Sequence, residues 1–222
     1  MAAKDYQLAL RFSAREDWDT NEEKEEDGAR TNPYAAWEWG AALRLAGQYQ
    51  EAARVHTLAA DNFDDIGDRA RSVISELDAG IDLAATGEND KAAALLKNAI
   101  QRTKTVEGRD IPLLQRVIAK EGEGRMALAS VLWVSGDRID AEAQLGKACE
   151  RLDQLEADAQ ARVKAGGNMI KEPERLKFNI DDGATAADIS CSRFKNQDYV
   201  SDRLEWPASL QQKLNKLENL GR

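Results

Sequence analysis

The chain has 222 residues, 42% of them hydrophobic, and 31 basic against 40 acidic residues give a formal net charge of −9. That length supports one sizeable core or an elongated array of small ones, while the acidic balance speaks against a phosphate-binding surface, so nucleic acid is not an expected partner. The longest apolar runs, such as MALASVLWV at 126–134, fall short of the ~20 residues a membrane helix needs, so no membrane insertion is expected and the chain reads as soluble.

In chain order, MAAKDYQLALRFSARED lacks both the apolar core of a secretion signal and the basic, acid-poor character of a transit peptide. The expected compartment is intracellular: the cytoplasm, or an organelle interior such as the chloroplast if a presequence has been removed. A first helix is expected near 4–15, and EDWDTNEEKEEDGARTNP at 16–33 reads as an acidic, solvated loop. Strand signals are nearly absent, and alanine, leucine, glutamate, lysine, arginine and glutamine dominate, so the class is all-α.

Pro33 opens the next helix, where its missing N–H costs nothing, and Gly47 closes it in LAGQY. Similar breaks follow in ATGENDKA at Gly87 and VSGDRIDA at Gly136, so helical hairpins recur at spacings of 40 and 49 residues. Aligned on these breaks, small residues return in register. Gly40, Gly80 and Ala129 lie seven before; Ala52, Ala92 and Ala141 lie five after; Ala59, Ala99 and Ala148 lie twelve after. Helices that cross closely need side chains no larger than a methyl group at the crossing. Repeated at a fixed spacing, this is the pattern of a solenoid.

The register resembles the tetratricopeptide repeat over roughly 33–160, best in the first unit, where Gly40, Gly47, Tyr49, Ala52 and Ala59 occupy motif places. His56 stands where the later aromatic is usual and Ala36 where the first is, with Trp37 and Trp39 flanking that site; Asn89 and Arg138 replace the tyrosine in units two and three. The resemblance implies a right-handed α–α superhelix of three hairpins with capping terminal helices. Its parts are an N-terminal helix and acidic loop (1–32), the solenoid (33–165) and a C-terminal extension (166–222). The period exceeds the family's ~34, so longer helices are expected, from Asp110 and Pro112 to Ser135 and from Asp137 to Ala165. In EWPASLQQKLNKLENLGR, Pro207 sits at a helix start, Leu210, Leu214 and Leu217 share a face, and Gly221 closes it; such a helix suits the exposed last face of a solenoid.

In that register the first helices line the concave surface. Their inward positions are Tyr34, Trp37, Ala41 and Arg44 in unit one, Leu77 and Ile81 in unit two, and Met126, Ser130 and Trp133 in unit three. Glu38 and Asp78 stand where a carboxylate-gripping member of the family would carry neutral or basic residues, so an apolar or amphipathic helix is the better-fitting guest. The same face could instead be covered by the chain's own Leu210–Leu214–Leu217 helix or by YQLALRF.

Catalytic and metal chemistry finds no foothold. His56 is the only histidine and falls at a packing position. The clusters DNFDDIGD at 61–68 and NIDDG at 179–183 lack calcium-loop spacing, and Asp68 reads as a helix cap. EGEGR at 121–125 lies inside a helical pattern, and no phosphate loop or hydrolase elbow occurs. Cys149 and Cys191, 42 positions apart, do not form a disulfide framework; Cys149 is expected as a small core residue and Cys191 as a thiol of open placement. The expected function is non-catalytic and cofactor-free: a scaffold, adaptor or assembly factor that docks another protein or peptide, as a monomer or within a hetero-complex. The alternative is a permanent structural subunit of a larger assembly.

Overall fold

The computed structural model describes residues 32–108, 110–164 and 190–217. The helix expected near 4–15, the acidic loop, the stretch 166–189 and the closing Gly221 lie outside the described residues. Among the described residues, six long helices lead: α1 (Pro33–Leu45), α2 (Tyr49–Asp65), α3 (Arg69–Thr86), α4 (Asn89–Thr103), α5 (Ile111–Val134) and α6 (Arg138–Lys164). A 3₁₀ turn (Cys191–Lys195), a π turn (Tyr199–Arg203) and the short α7 (Ala208–Leu214) follow. No strand occurs among the described residues.

Local chemistry sets the helix ends. Asn32 Oδ1 accepts from the backbone N–H groups of Tyr34 and Ala35 at 3.1 and 3.2 Å, and Pro33 takes the first turn of α1. Asp68 and Asp110 cap α3 and α5 in the same way, through the N–H groups of Arg71 and Leu113. At the other end of α1, Gly47 at φ 76° lets its own N–H reach Arg44 O and that of Gln48 reach Leu43 O, each at 2.9 Å, which satisfies carbonyls the helix would leave bare. The closure is repeated at Gly136 and also at Gly67, φ 78°, the turn from α2 into α3. Gly67 falls outside the break repeated at Gly47, Gly87 and Gly136, because it joins one hairpin to the next.

The helices pair as α1–α2, α3–α4 and α5–α6, and α5 also packs on both helices of the preceding hairpin. The six repeat alanines, Ala52, Ala59, Ala92, Ala99, Ala141 and Ala148, are completely enclosed. Opposite them the approach is closer still. A Cβ on Gly40 would stand 2.5 Å from the His56 ring, and one on Gly80 2.6 Å from Leu96. In the third hairpin the equivalent meeting is Gly122 against Leu152, again at 2.6 Å, one heptad farther from the turn than the aligned Ala129. That displacement accompanies the longer helices, 24 residues in α5 and 27 in α6. At 1.5 Å per residue α6 extends about 40 Å.

The apolar interior is divided. One cluster runs through α3 to α6 and takes in Cys191, Phe194, Trp206, Leu210, Leu214 and Leu217. A separate cluster, including Trp39, Leu43, Val55 and Phe63, lies inside the first hairpin. A small third one joins Ala70 and Ile74 of α3 to Val117 of α5. Between the first hairpin and the rest lie buried charges.

Candidate functional site

The residues read as a docking face fall into two groups. Leu77, Ile81 and Met126 are fully enclosed in the largest apolar cluster, and Trp133 belongs to it with the Arg138 guanidinium 4.3 Å above its ring. Ser130 is buried and donates its hydroxyl to Met126 O within α5 at 2.9 Å. Arg44 is buried among charges. Tyr34 is 46% exposed, and Trp37 is half-buried beside it. Both rings meet the edge of Phe63, at 5.1 and 6.4 Å, and each carries a guanidinium, Arg71 at 5.4 Å from the Tyr34 ring and Arg116 at 5.8 Å from Trp37. Burial and the neighbouring Arg71 push the Arg116 pKa down. The first-hairpin end of the face is therefore aromatic and cationic, and it reaches the surface.

Over α3 and α5 the face is occupied by the chain itself. Leu210, Leu214 and Leu217 are buried, and α7 packs against α5 and α3. Trp206 donates its Nε1–H to Glu123 Oε1 at 2.8 Å. Ser209 Oγ donates to Ala85 O at 2.9 Å, and Lys213 Nζ to Ala84 O and Asn89 Oδ1, both at 2.6 Å. Ala84 and Ala85 lie in the last turn of α3, whose carbonyls lack partners within the helix and carry the negative end of its dipole, so a cation is suited to that place. Of the two placements the sequence leaves open for this helix, the last face of the stack and the first-helix face, the structure shows the second: it lies across α3 and α5, because its leucines meet their apolar stripe.

A covalent bond holds the same segment. Cys149 of α6 and Cys191 form a disulfide with their Cα atoms 4.7 Å apart, and Cys191 N–H donates to Asp153 Oδ1 at 3.1 Å. Phe194 then meets Trp206 at a tilt and Tyr199 edge to face, with centroids 5.6 and 5.9 Å away. The expectation of two unlinked cysteines is corrected: distance in sequence hid a partnership that the return of the chain onto α6 creates.

Beneath the face runs a string of buried ions. Arg44 of α1 donates Nε–H to Asp82 Oδ1 at 2.5 Å and its terminal nitrogens to Asp78 Oδ1 at 3.1 Å. His56 of α2, whose Nδ1 lies 2.7 Å from Asp82 Oδ2, must donate there, since an ionised carboxylate can only accept. Asp78 also accepts from Trp37 Nε1 at 3.2 Å and Lys120 Nζ at 2.7 Å, and Lys120 reaches Glu123 at 2.9 Å. Trp206 closes the string at Glu123. Burial alone would raise the Asp78 carboxyl, but Lys120 and Arg44 outweigh it and hold its pKa far below the usual range. Burial likewise opposes the charges on Arg44 and Lys120, and the facing carboxylates overcome it, Asp82 and Asp78 for the first, Asp78 and Glu123 for the second. Such groups are costly to separate and well matched while together.

Elsewhere, Glu121 binds Arg125 at 2.7 Å and Arg151 at 3.1 Å, and Arg125 also donates to Gln144 at 2.8 Å. Arg125 borders a cleft of about 300 Å³ between α4, α5 and α6 that carries Lys97, Lys104 and Lys147 against Asp140. Asp64, from the acidic run at 61–68, pairs with Arg102 at 2.5 Å. Among the described residues, no histidine, cysteine and carboxylate group is arranged to hold a metal ion, and no helix is long and apolar enough to cross a membrane. Comparison of this chain with protein-family models, with curated proteins and with solved structures yields no match.

Proposed function

We propose that this protein is a non-catalytic docking scaffold, an adaptor or assembly factor built on tetratricopeptide-like hairpins, whose first-helix face receives a helix or extended segment of another protein. The observation that carries this reading is the seating of α7 across α3 and α5. The face takes an amphipathic helix, and supplies it with apolar sockets, a carboxylate for an indole N–H and helix-end carbonyls for an ammonium. Aromatic anchors and arginine dominate binding energy at protein interfaces, and Tyr34, Trp37, Arg71 and Arg116 present that chemistry at the open end. Asp78, buried and held ionised, is gripped by Arg44 and Lys120, which suits a structural role. The disulfide fits a compartment where thiols are oxidised for at least part of the time.

Tagged wild-type protein and a Tyr34→Asp variant, purified from cells and analysed by mass spectrometry, test the reading. A partner recovered stoichiometrically with the wild type and lost with Tyr34→Asp, at unchanged helicity, is expected. Equal recovery removes the open end of the face from the site. A chain that is insoluble until its partner is co-expressed would indicate a permanent subunit instead.

A further inference from the structure

We propose that residues 190–217 are a displaceable occupant of the α3–α5 face, latched by Cys149–Cys191, and that reduction of this disulfide opens the face to a partner's amphipathic helix. This rests on the docking reading above and specifies the guest: an indole followed by leucines one and two turns on, with a lysine beside them. Each feature answers a group on the face. The indole N–H meets Glu123, the leucines enter the cluster around Leu77, Ile81 and Met126, and the ammonium meets the carbonyl end of α3.

Exchange of one helix for another is feasible because the face does not depend on its present occupant for charge balance. Glu123 keeps Lys120 at 2.9 Å when Trp206 leaves, and Asp78 keeps both Arg44 and Lys120. What holds the occupant is proximity. With the disulfide formed, Leu204 is tethered to the body through about 13 residues, from Cys191, instead of about 40, from Lys164, and effective concentration falling as the −3/2 power of tether length changes by about fivefold. Loss of the fixed position of Cys191 on α6 adds to that factor.

The opening step is thiol exchange with a dithiol. Its thiolate attacks the Cys149 sulfur, the more accessible of the pair, and the disulfide breaks with Cys191 leaving as a thiolate that takes up a proton. The second thiol of the reagent then attacks the mixed disulfide and frees Cys149. The dithiol ends as a cyclic disulfide, having given two electrons, and the protein ends with two thiols.

The test is a fluorescence-anisotropy titration of a labelled synthetic peptide, LEWPASLQQKLNKL, corresponding to 204–217, against the full chain in four forms. These are oxidised, reduced with dithiothreitol, Cys149→Ser/Cys191→Ser, and Leu210→Asp/Leu214→Asp, in which the internal helix is unseated whatever the thiol state. The reduced and serine forms are expected to bind at least about fivefold more tightly than the oxidised form, and the aspartate form at least as well as these. Equal affinity of oxidised and reduced forms overturns the latch and leaves the docking reading standing. No binding to the aspartate form, with native circular dichroism, overturns both for this face. If that variant does not fold, Trp206→Ala, which removes one anchor and no charge, takes its place with the same two outcomes.

Discussion

Replacing Gly40 by alanine is the sharpest test of how the first hairpin is held together. The new Cβ would stand 2.5 Å from His56 Cδ2, 2.6 Å from Nε2 and 2.9 Å from Cγ. The ring cannot withdraw freely, because it is buried and its Nδ1–H is bonded to Asp82 at 2.7 Å. Overpacking costs about 1–3 kcal/mol and loss of a charge-assisted hydrogen bond about 1.5–3, against about 1 kcal/mol gained by putting alanine for glycine in a helix. The net expectation is a loss of about 2–5 kcal/mol, or about 1–2 M in the urea midpoint for a chain of this size. Two further variants calibrate it. Gly80→Ala meets Leu96 Cδ2 at 2.6 Å and Cγ at 2.7 Å, a side chain that holds no hydrogen bond to lose, and should cost less than Gly40→Ala. Gly146→Ala in α6 meets nothing within 4 Å and should raise the midpoint by a few tenths molar through helix propensity alone. Urea titrations followed by circular dichroism rank the three. A Gly40→Ala midpoint at or above wild type, or below-wild-type stability in Gly146→Ala alone, refutes the close-approach reasoning.

Arg44→Ala leaves Asp82 and Asp78 buried with fewer cations and should destabilise the fold by about 3–5 kcal/mol; a loss under about 1 kcal/mol in the same urea assay would mean that the ion string is dispensable. The pH dependence has two flanks. Asp78 is held below its ordinary pKa, so the unfolded chain takes up the proton first; its contribution is present above about pH 5 and is lost progressively as pH falls from the usual aspartate range toward the much lower pKa of the folded group. Lys120 is held above its ordinary pKa, so its contribution is present below about pH 10 and is lost as pH rises beyond. Urea midpoints measured between these limits and outside them should fall on both sides, and Asp78→Asn should lower the plateau while flattening the acid flank; an acid flank as steep as wild type in that variant counts against the assignment.

The periodic features of the fold could be read from the sequence because each is fixed within a few residues. The turns at Gly47, Gly87 and Gly136 need backbone angles that glycine accepts, and all three have positive φ. The alanines in register need only a close neighbour, and Asp68 and Asp110 cap helices three residues away. Relations across long separations were not legible. Arg44 and Asp78 are 34 positions apart, and the sequence places both on first helices without pairing them: Arg44 reads as a docking residue and Asp78 as a lining unsuited to a carboxylate grip. The glycines of EGEGR carry a further signal. Two glycines inside a helix that tolerates them mark close approaches, and a Cβ on Gly124 would fall 2.5 Å from Leu77, as one on Gly122 would from Leu152 at 2.6 Å. Of the nine face residues, periodicity tells which side of a helix they occupy. It leaves open whether a guest or the chain's own leucine helix lies against them, since that depends on where residues 190–217 return.

Repeat arrays usually behave as rows of tiles, each touching only the tile before and the tile after, so that an end pair can fray and leave the remainder standing. Here one carboxylate, Asp78 on the middle pair, is gripped by Trp37 and Arg44 from the pair on one side and by Lys120 from the pair on the other. It is a keystone. Peeling off either neighbour strips a partner from the same buried ion and loosens the hold on the opposite neighbour, so the row cannot unzip tile by tile, and a repeat cannot be excised or duplicated in it without rebuilding that junction.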